Sequence, residues 1–263
     1  MFCFFSGIFH VIQCSAQYPE EPYNQNCQYN DYQYNDENGN QKILCHHGSR
    51  NINATLSLLK SLVDQTPEEI IIAGQSAGAA GCVANSPCIK DAFPDCKKFV
   101  VYADGVFLHT PLWKSIINEI WHVNEKLASY TISDNLILDL FRYAAANMPE
   151  NTIFLQSNTI FDKILIQFSN KLNKGKLVVD AAMRDFFNKE LLASTTELKK
   201  MITNYYYYLT DHKMNKRDGT TPHTFAGSPK MFYTDIQNGI SVSRWLSDAT
   251  QGICKDVGSG FLN

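Results

Sequence analysis

Ser76 stands in Gly74-Gln75-Ser76-Ala77-Gly78, between the apolar run Glu69-Ile70-Ile71-Ile72-Ala73 and the small-residue run Ala77-Gly78-Ala79-Ala80-Gly81-Cys82-Val83-Ala84. A serine hydroxyl is a weak nucleophile unless a base removes its proton, and a third group must orient that base. On a sharp strand-to-helix turn the hydroxyl projects from the backbone, and glycines two residues away let the chain close around it. The helix that follows aims its first N–H groups at an oxyanion formed beside the serine, so Ala77 N–H is the expected oxyanion donor. A glycine-rich turn with an incidental serine would share the glycines. The strand before and the helix after favour the nucleophile.

Its partners should follow later in the chain. Thr152-Ile153-Phe154-Leu155-Gln156 reads as a strand, and Asp162 stands just past its C-terminal end. There it can serve as the acid of a triad, or simply as a helix N-terminal Asp stabilised by the dipole. Of the seven histidines, His10, His46 and His47 precede any later acid, and His109 and His122 fall in the middle segment. Two remain after the last strand: His212, directly behind it, and His223, in Gly219-Thr220-Thr221-Pro222-His223-Thr224-Phe225. A short tether holds an imidazole firmly, which slightly favours His212; on the residues alone both stay open. Asp211 and Asp218 flank them and read as turn residues.

The elements that would position these groups alternate. Strands are expected at 69–73, 99–102, 152–156 and 205–209, with helices from Ser49, after Ser76, and near 113–128, 134–147, 160–172, 178–202 and 239–250. Three consecutive isoleucines favour a strand over a helix at 70–72, because β-branched side chains lose freedom in helices. Pro87 and Pro94 are expected to bracket a loop. This order predicts an α/β fold: a mostly parallel sheet with helices on both faces. Trp113, Trp121 and Phe141 read as core.

Bulk properties narrow the class. A chain of 263 residues with 44% apolar and 19% charged residues supports one substantial core and is not disordered. Net charge is −3, without a basic block, so nucleic acid is an unsuitable partner. No apolar run reaches about 18 residues, so stable membrane insertion is not expected. Residues 1–16 read either as a signal peptide, with a small-x-small site at Cys14-Ser15-Ala16, or as the stump of a strand. Residues 17–42 read as a polar irregular arm, and 43–263 as one catalytic domain. Eight cysteines suit an oxidising compartment, and Cys82, Cys88 and Cys96 lie close enough in sequence for a disulfide among them. Their spacing suggests no metal site. The sequon Asn53-Ala54-Thr55 adds to a secreted reading.

Four segments resemble the pectin acetylesterase/Notum family. They are Gly48-Ser49-Arg50-Asn51-Ile52-Asn53-Ala54-Thr55-Leu56; Ile72 to Gly81 around the serine; Tyr102-Ala103-Asp104-Gly105-Val106-Phe107-Leu108; and the tail from Gly219 to Trp245. The tail carries His223-Thr224-Phe225, Phe232-Tyr233-Thr234 and Gly239-Ile240-Ser241-Val242-Ser243-Arg244-Trp245. The resemblance implies an α/β-hydrolase-like fold and a serine carboxylesterase that needs no cofactor. Ser76 is similar to the family nucleophile, Asp162 to its acid and His223 to its base. A match counted from the last strand lands on His212 instead. Implied substrates are O-acyl esters, above all acetyl esters, on an acylated polysaccharide or on a lipidated or acylated protein. The family's upstream Gly-Gly-Gly-x-Cys-like oxyanion turn is not legible here, which implies missing N-terminal strands. The competing expectation is therefore an inactive, truncated member acting as a binding protein.

Overall fold

The computed structural model describes residues 2–4, 31–36, 38–45, 48–120 and 132–262. Five parallel strands form the central sheet: β1 (Phe2–Phe4), β4 (Glu69–Gln75), β5 (Lys98–Asp104), β6 (Ile153–Thr159) and β7 (Tyr205–Thr210), in the order β1-β4-β5-β6-β7. The other two strands among the described residues, β2 (Asp31–Asn35) and β3 (Gln41–Cys45), pair as an antiparallel hairpin. The first of these strands and the start of the second fall in residues 17–42, expected to be an irregular arm. β1 pairs in parallel with β4, Phe2 opposite Ile71 and Phe4 opposite Ala73. The rest of the stretch read as signal peptide or strand stump lies outside the described residues.

Helices cover the sheet. They are α1 (Gly48–Leu62), α2 (Ala77–Ala92), the short α3 (Trp113–Ser115), α4 (Leu136–Asn147), α5 (Lys163–Lys174), α6 (Ala181–Met201), the short α7 (Pro229–Phe232) and α8 (Val242–Thr250). Alternation along each strand sends residues to opposite faces. On one face Ile70, Ile72, Val101, Ala103, Phe154, Tyr205 and Tyr207 pack with Ile52 and Leu56 of α1, Val83 of α2, Phe141 of α4 and Leu198 of α6. On the other, Ile71, Val100, Tyr102, Leu155 and Tyr208 meet Met231 of α7 and Trp245 of α8. Full burial of an aliphatic or aromatic side chain stabilises by about 1.5–3 kcal/mol, so continuous apolar strands are what a sheet covered on both faces requires. Trp113 and Phe141 are core residues, as expected. Trp121 lies outside the described residues.

Two expectations fail for local reasons. The helix after Ser76 does not stop at Pro87; it runs through that proline to Ala92. Proline at 87 cannot donate to the carbonyl four residues back, on Val83. The buried Ser86 hydroxyl supplies that hydrogen bond instead, at 2.9 Å. The expected disulfide is absent too: Cys82, Cys88 and Cys96 are free thiols. Cys82 is a buried residue of α2, its Sγ donating to the carbonyl oxygens of Ala79 and Tyr102, while Cys96 Sγ is within reach of Lys98 O. Cys88 faces solvent.

Candidate active site

Ser76 occupies the sharp turn between β4 and α2 with φ 54° and ψ −127°. Positive φ is uncommon for a non-glycine residue and is held in place only where surrounding contacts over-determine it. Gly74 is one such contact, since a Cβ there would lie 2.0 Å from the Gly78 carbonyl oxygen. The strand and helix thus touch through a missing side chain. Ser76 sits at the N-cap of α2, yet its side chain makes no capping hydrogen bond. Asn135, Asp162, Asp180 and Ser241 all spend a side-chain oxygen on capping their helices. The strained turn releases the Ser76 hydroxyl from that duty. Ala77 N–H opens the helix, where backbone donors lack intrahelical acceptors.

Asp162 follows β6 and is 1% exposed. Its two oxygens divide the alternatives that the sequence left side by side. Oδ1 accepts the Leu165 N–H at 3.0 Å and caps α5. Oδ2 lies 2.7 Å from His223 Nδ1. Burial pushes the Asp162 carboxyl above the ordinary range, opposed by the hydrogen bond and charge of His223 and by the N–H groups of Leu165 and Ile164. A short bond between an imidazole and a buried carboxylate is strong and fixes ring orientation.

His223 is anchored on both sides. Before it, Thr221 N–H donates to Phe161 O at 2.8 Å, and Lys163 N–H donates to Thr221 O at 3.0 Å. The Thr159 hydroxyl donates to Pro222 O at 2.6 Å. After it, the N–H groups of Phe225 and Ala226 both donate to Asp104 Oδ2 at 2.8 Å. His212, by contrast, sits in the turn after β7, its N–H donating to Thr210 Oγ1 at 3.1 Å. Burial and the Lys213 charge lower its pKa, opposed by Asp211. Asp218 behaves as the turn residue expected, accepting the Thr220 N–H and hydroxyl.

Asp104 is the site residue that sequence reasoning passed over. Read as the end of a strand before a glycine, it looked like punctuation. In the sheet, Gln75, Asp104 and Ser157 stand abreast on β4, β5 and β6. Ser76 N–H donates to Asp104 O at 2.8 Å, so the residue that holds the histidine loop by its side chain holds the serine by its backbone. The signal available in sequence was an acidic residue directly after the run Phe99-Val100-Val101-Tyr102-Ala103. Among the described residues, no group of three His, Cys, Asp or Glu side chains is placed to hold a metal. Among them, too, no helix is long and apolar enough to cross a membrane.

With this geometry in view, the fold is similar to that of a solved structure, the Wnt deacylase Notum from Drosophila. The chain has an α/β-hydrolase-like fold. The superposition has a TM-score of 0.53 at 12% sequence identity and covers 84% of this chain. The chain spans 64% of the Notum chain it matches. No family model and no curated protein sequence matches the chain. At 12% identity the likeness establishes the fold alone. Within that fold, the elbow and the Asp162–His223 pair are features of this chain's own geometry.

Proposed function

We propose that the chain is a serine carboxylesterase of the pectin acetylesterase/Notum type, with Ser76 as nucleophile, His223 as base and Asp162 as acid. The observation that carries this reading is the 2.7 Å contact between His223 and Asp162 at the same end of the sheet as the strained Ser76 turn. With Nδ1–H donating to Asp162, the His223 ring presents Nε2 as its free acceptor. Nε2 takes the Ser76 proton as Oγ attacks an ester carbonyl, and Asp162 stabilises the imidazolium that forms. Ala77 N–H donates to the tetrahedral oxyanion. Collapse expels the alcohol, which takes the proton from His223, and water then releases the acyl group by the same steps in reverse order. None of these steps calls on a cofactor.

An O-acyl ester, with acetyl the simplest acyl group, fits this chemistry, carried on a polysaccharide or on an acylated protein. Action outside the cell suits such substrates and the exposed sequon at Asn53 on α1. The deciding experiment is labelling with a fluorophosphonate, alongside hydrolysis of p-nitrophenyl acetate. Labelling that disappears in Ser76→Ala supports the esterase. Well-folded protein that neither labels nor hydrolyses sinks it. That second outcome would instead support an inactive scaffold acting as a binding or interaction protein.

A further inference from the structure

We propose that Asp104 is a positioning residue that locks the serine turn and the histidine loop into one frame. The proposal rests on the esterase reading of Ser76 and His223, but its geometry is independent of any substrate. Asp104 is fully buried at the end of β5, the strand between the one that leads to Ser76 and the one that leads to Asp162. All three of its oxygens are engaged. The backbone oxygen accepts the Ser76 N–H, Oδ2 accepts the Phe225 and Ala226 N–H groups, and Oδ1 accepts the Ser157 hydroxyl, each at 2.8 Å. Ser157 Oγ in turn lies 2.9 Å from the Tyr102 hydroxyl.

Neighbouring residues are shaped to let the loop reach this carboxylate. Gly105 has φ 64°, and a Cβ there would stand 2.7 Å from Thr224 Cγ2 and 3.2 Å from the Thr224 backbone. Thr224 itself has φ 56°, a conformation that needs external support. Beyond it, Gly227 packs so that a Cβ would come 3.3 Å from Gln75 Oε1, on the residue before the serine. The loop from 224 to 227 is therefore pressed between the two strand ends, with the Asp104 carboxylate as its only charged acceptor among the hydrogen bonds described above. A buried carboxylate taking two N–H bonds holds a loop more firmly than a neutral acceptor would. Because His223 is two residues ahead of the first clamped N–H, the clamp sets where the imidazole stands relative to Ser76.

Substituting Asp104 distinguishes this role from packing. In Asp104→Asn the amide oxygen can still accept both N–H groups, while the amide nitrogen donates to Ser157 Oγ, whose hydroxyl turns toward Tyr102. Asp104→Ala removes the acceptor. Three readouts apply: the fluorophosphonate labelling rate, the low-field proton resonance of the His223 Nδ1–H bonded to Asp162, and hydrogen exchange at the Phe225 and Ala226 amides. A misplacement of about 1 Å away from the chemistry costs on the order of 10²-fold in rate. Asp104→Ala is accordingly expected to lower labelling about 10²-fold and to lose the low-field resonance, with Asp104→Asn restoring the resonance and most of the rate. If the alanine variant does not fold, the asparagine variant still tests the clamp. Its Phe225 and Ala226 amides should exchange at least about tenfold faster than wild type, with the β5 core amides unchanged. A folded alanine variant with wild-type resonance and labelling overturns the proposal, as does unchanged exchange in the asparagine variant. If wild-type protein never labels but the resonance still responds to Asp104→Ala, the esterase reading falls and the clamp stands.

Discussion

Asp162 Oδ2 and His223 Nδ1 lie 2.7 Å apart although 61 residues separate them in the chain. The same carboxylate caps α5 through its other oxygen. One buried group thus ends a strand, starts a helix and holds an imidazole. The contact is possible because Thr221 is bonded to Phe161 and Lys163 on either side of Asp162, which brings the histidine loop to the end of β6.

This pairing predicts which histidine matters. His223→Ala should lower kcat for an acetyl ester by about 10⁴-fold or more, as loss of a triad member does. His212→Ala should leave kcat within about threefold of wild type. Steady-state kinetics on both variants provide the check, and a reversed order would transfer the base role to His212.

Separating the two duties of Asp162 requires two substitutions. Asp162→Asn keeps an oxygen for the Leu165 N–H but disfavours the required imidazole tautomer, so kcat should fall about 10⁴-fold with little change in melting temperature. Asp162→Ala loses the cap as well, which costs about 1 kcal/mol of stability. Thermal melts alongside kinetics would show activity falling in both variants and stability falling clearly in the second alone.

Gly74 should be intolerant of any side chain. An added Cβ would meet backbone, at 2.0 Å from Gly78 O, and backbone cannot swing aside as a side-chain tip can. Gly74→Ala is expected to destabilise by about 3 kcal/mol, the upper end of ordinary overpacking, and to abolish labelling of Ser76. Chemical denaturation and the fluorophosphonate probe measure the two effects separately.

Stability should depend on pH through Asp104. Burial pushes its carboxyl up to about 6 from 3.8, against hydrogen bonds from Ala226, Ser157 and Phe225 and the charge of His223. Tyr102 on the same strand is the other titratable group that interacts with it. Between these two values the folded state binds the proton more tightly than the unfolded chain. The Asp104 contribution to stability is therefore fully present below about pH 4 and lost as pH rises through about 6, by roughly 3 kcal/mol in all. Denaturation of wild type and Asp104→Asn across pH 4–7 should show their difference shifting in favour of the asparagine variant as pH rises. A constant difference would show that the carboxyl is not perturbed in the fold.

The sequence by itself determined what depends on neighbours a few residues apart. Isoleucines at 70–72 specify a strand, small residues from Ala77 specify a close-packed helix, and glycines around Ser76 permit the turn between them. Strand–helix alternation implied the layered parallel sheet, because apolar strands must be buried on both faces. Tertiary structure decided what depends on loops meeting across strands. Tether length slightly favoured His212, but a histidine's position is set by what holds its loop, and the holders of His223 are Phe161, Lys163 and Asp104, distant in sequence. Pro87 looked like a helix end until Ser86 supplied the bond that proline cannot make. Asp104 looked like no more than the end of a strand because its partners lie 53, 121 and 122 residues away. A buried charge is tolerated only where its hydrogen bonds are supplied, and in this chain only folding brings those donors to it.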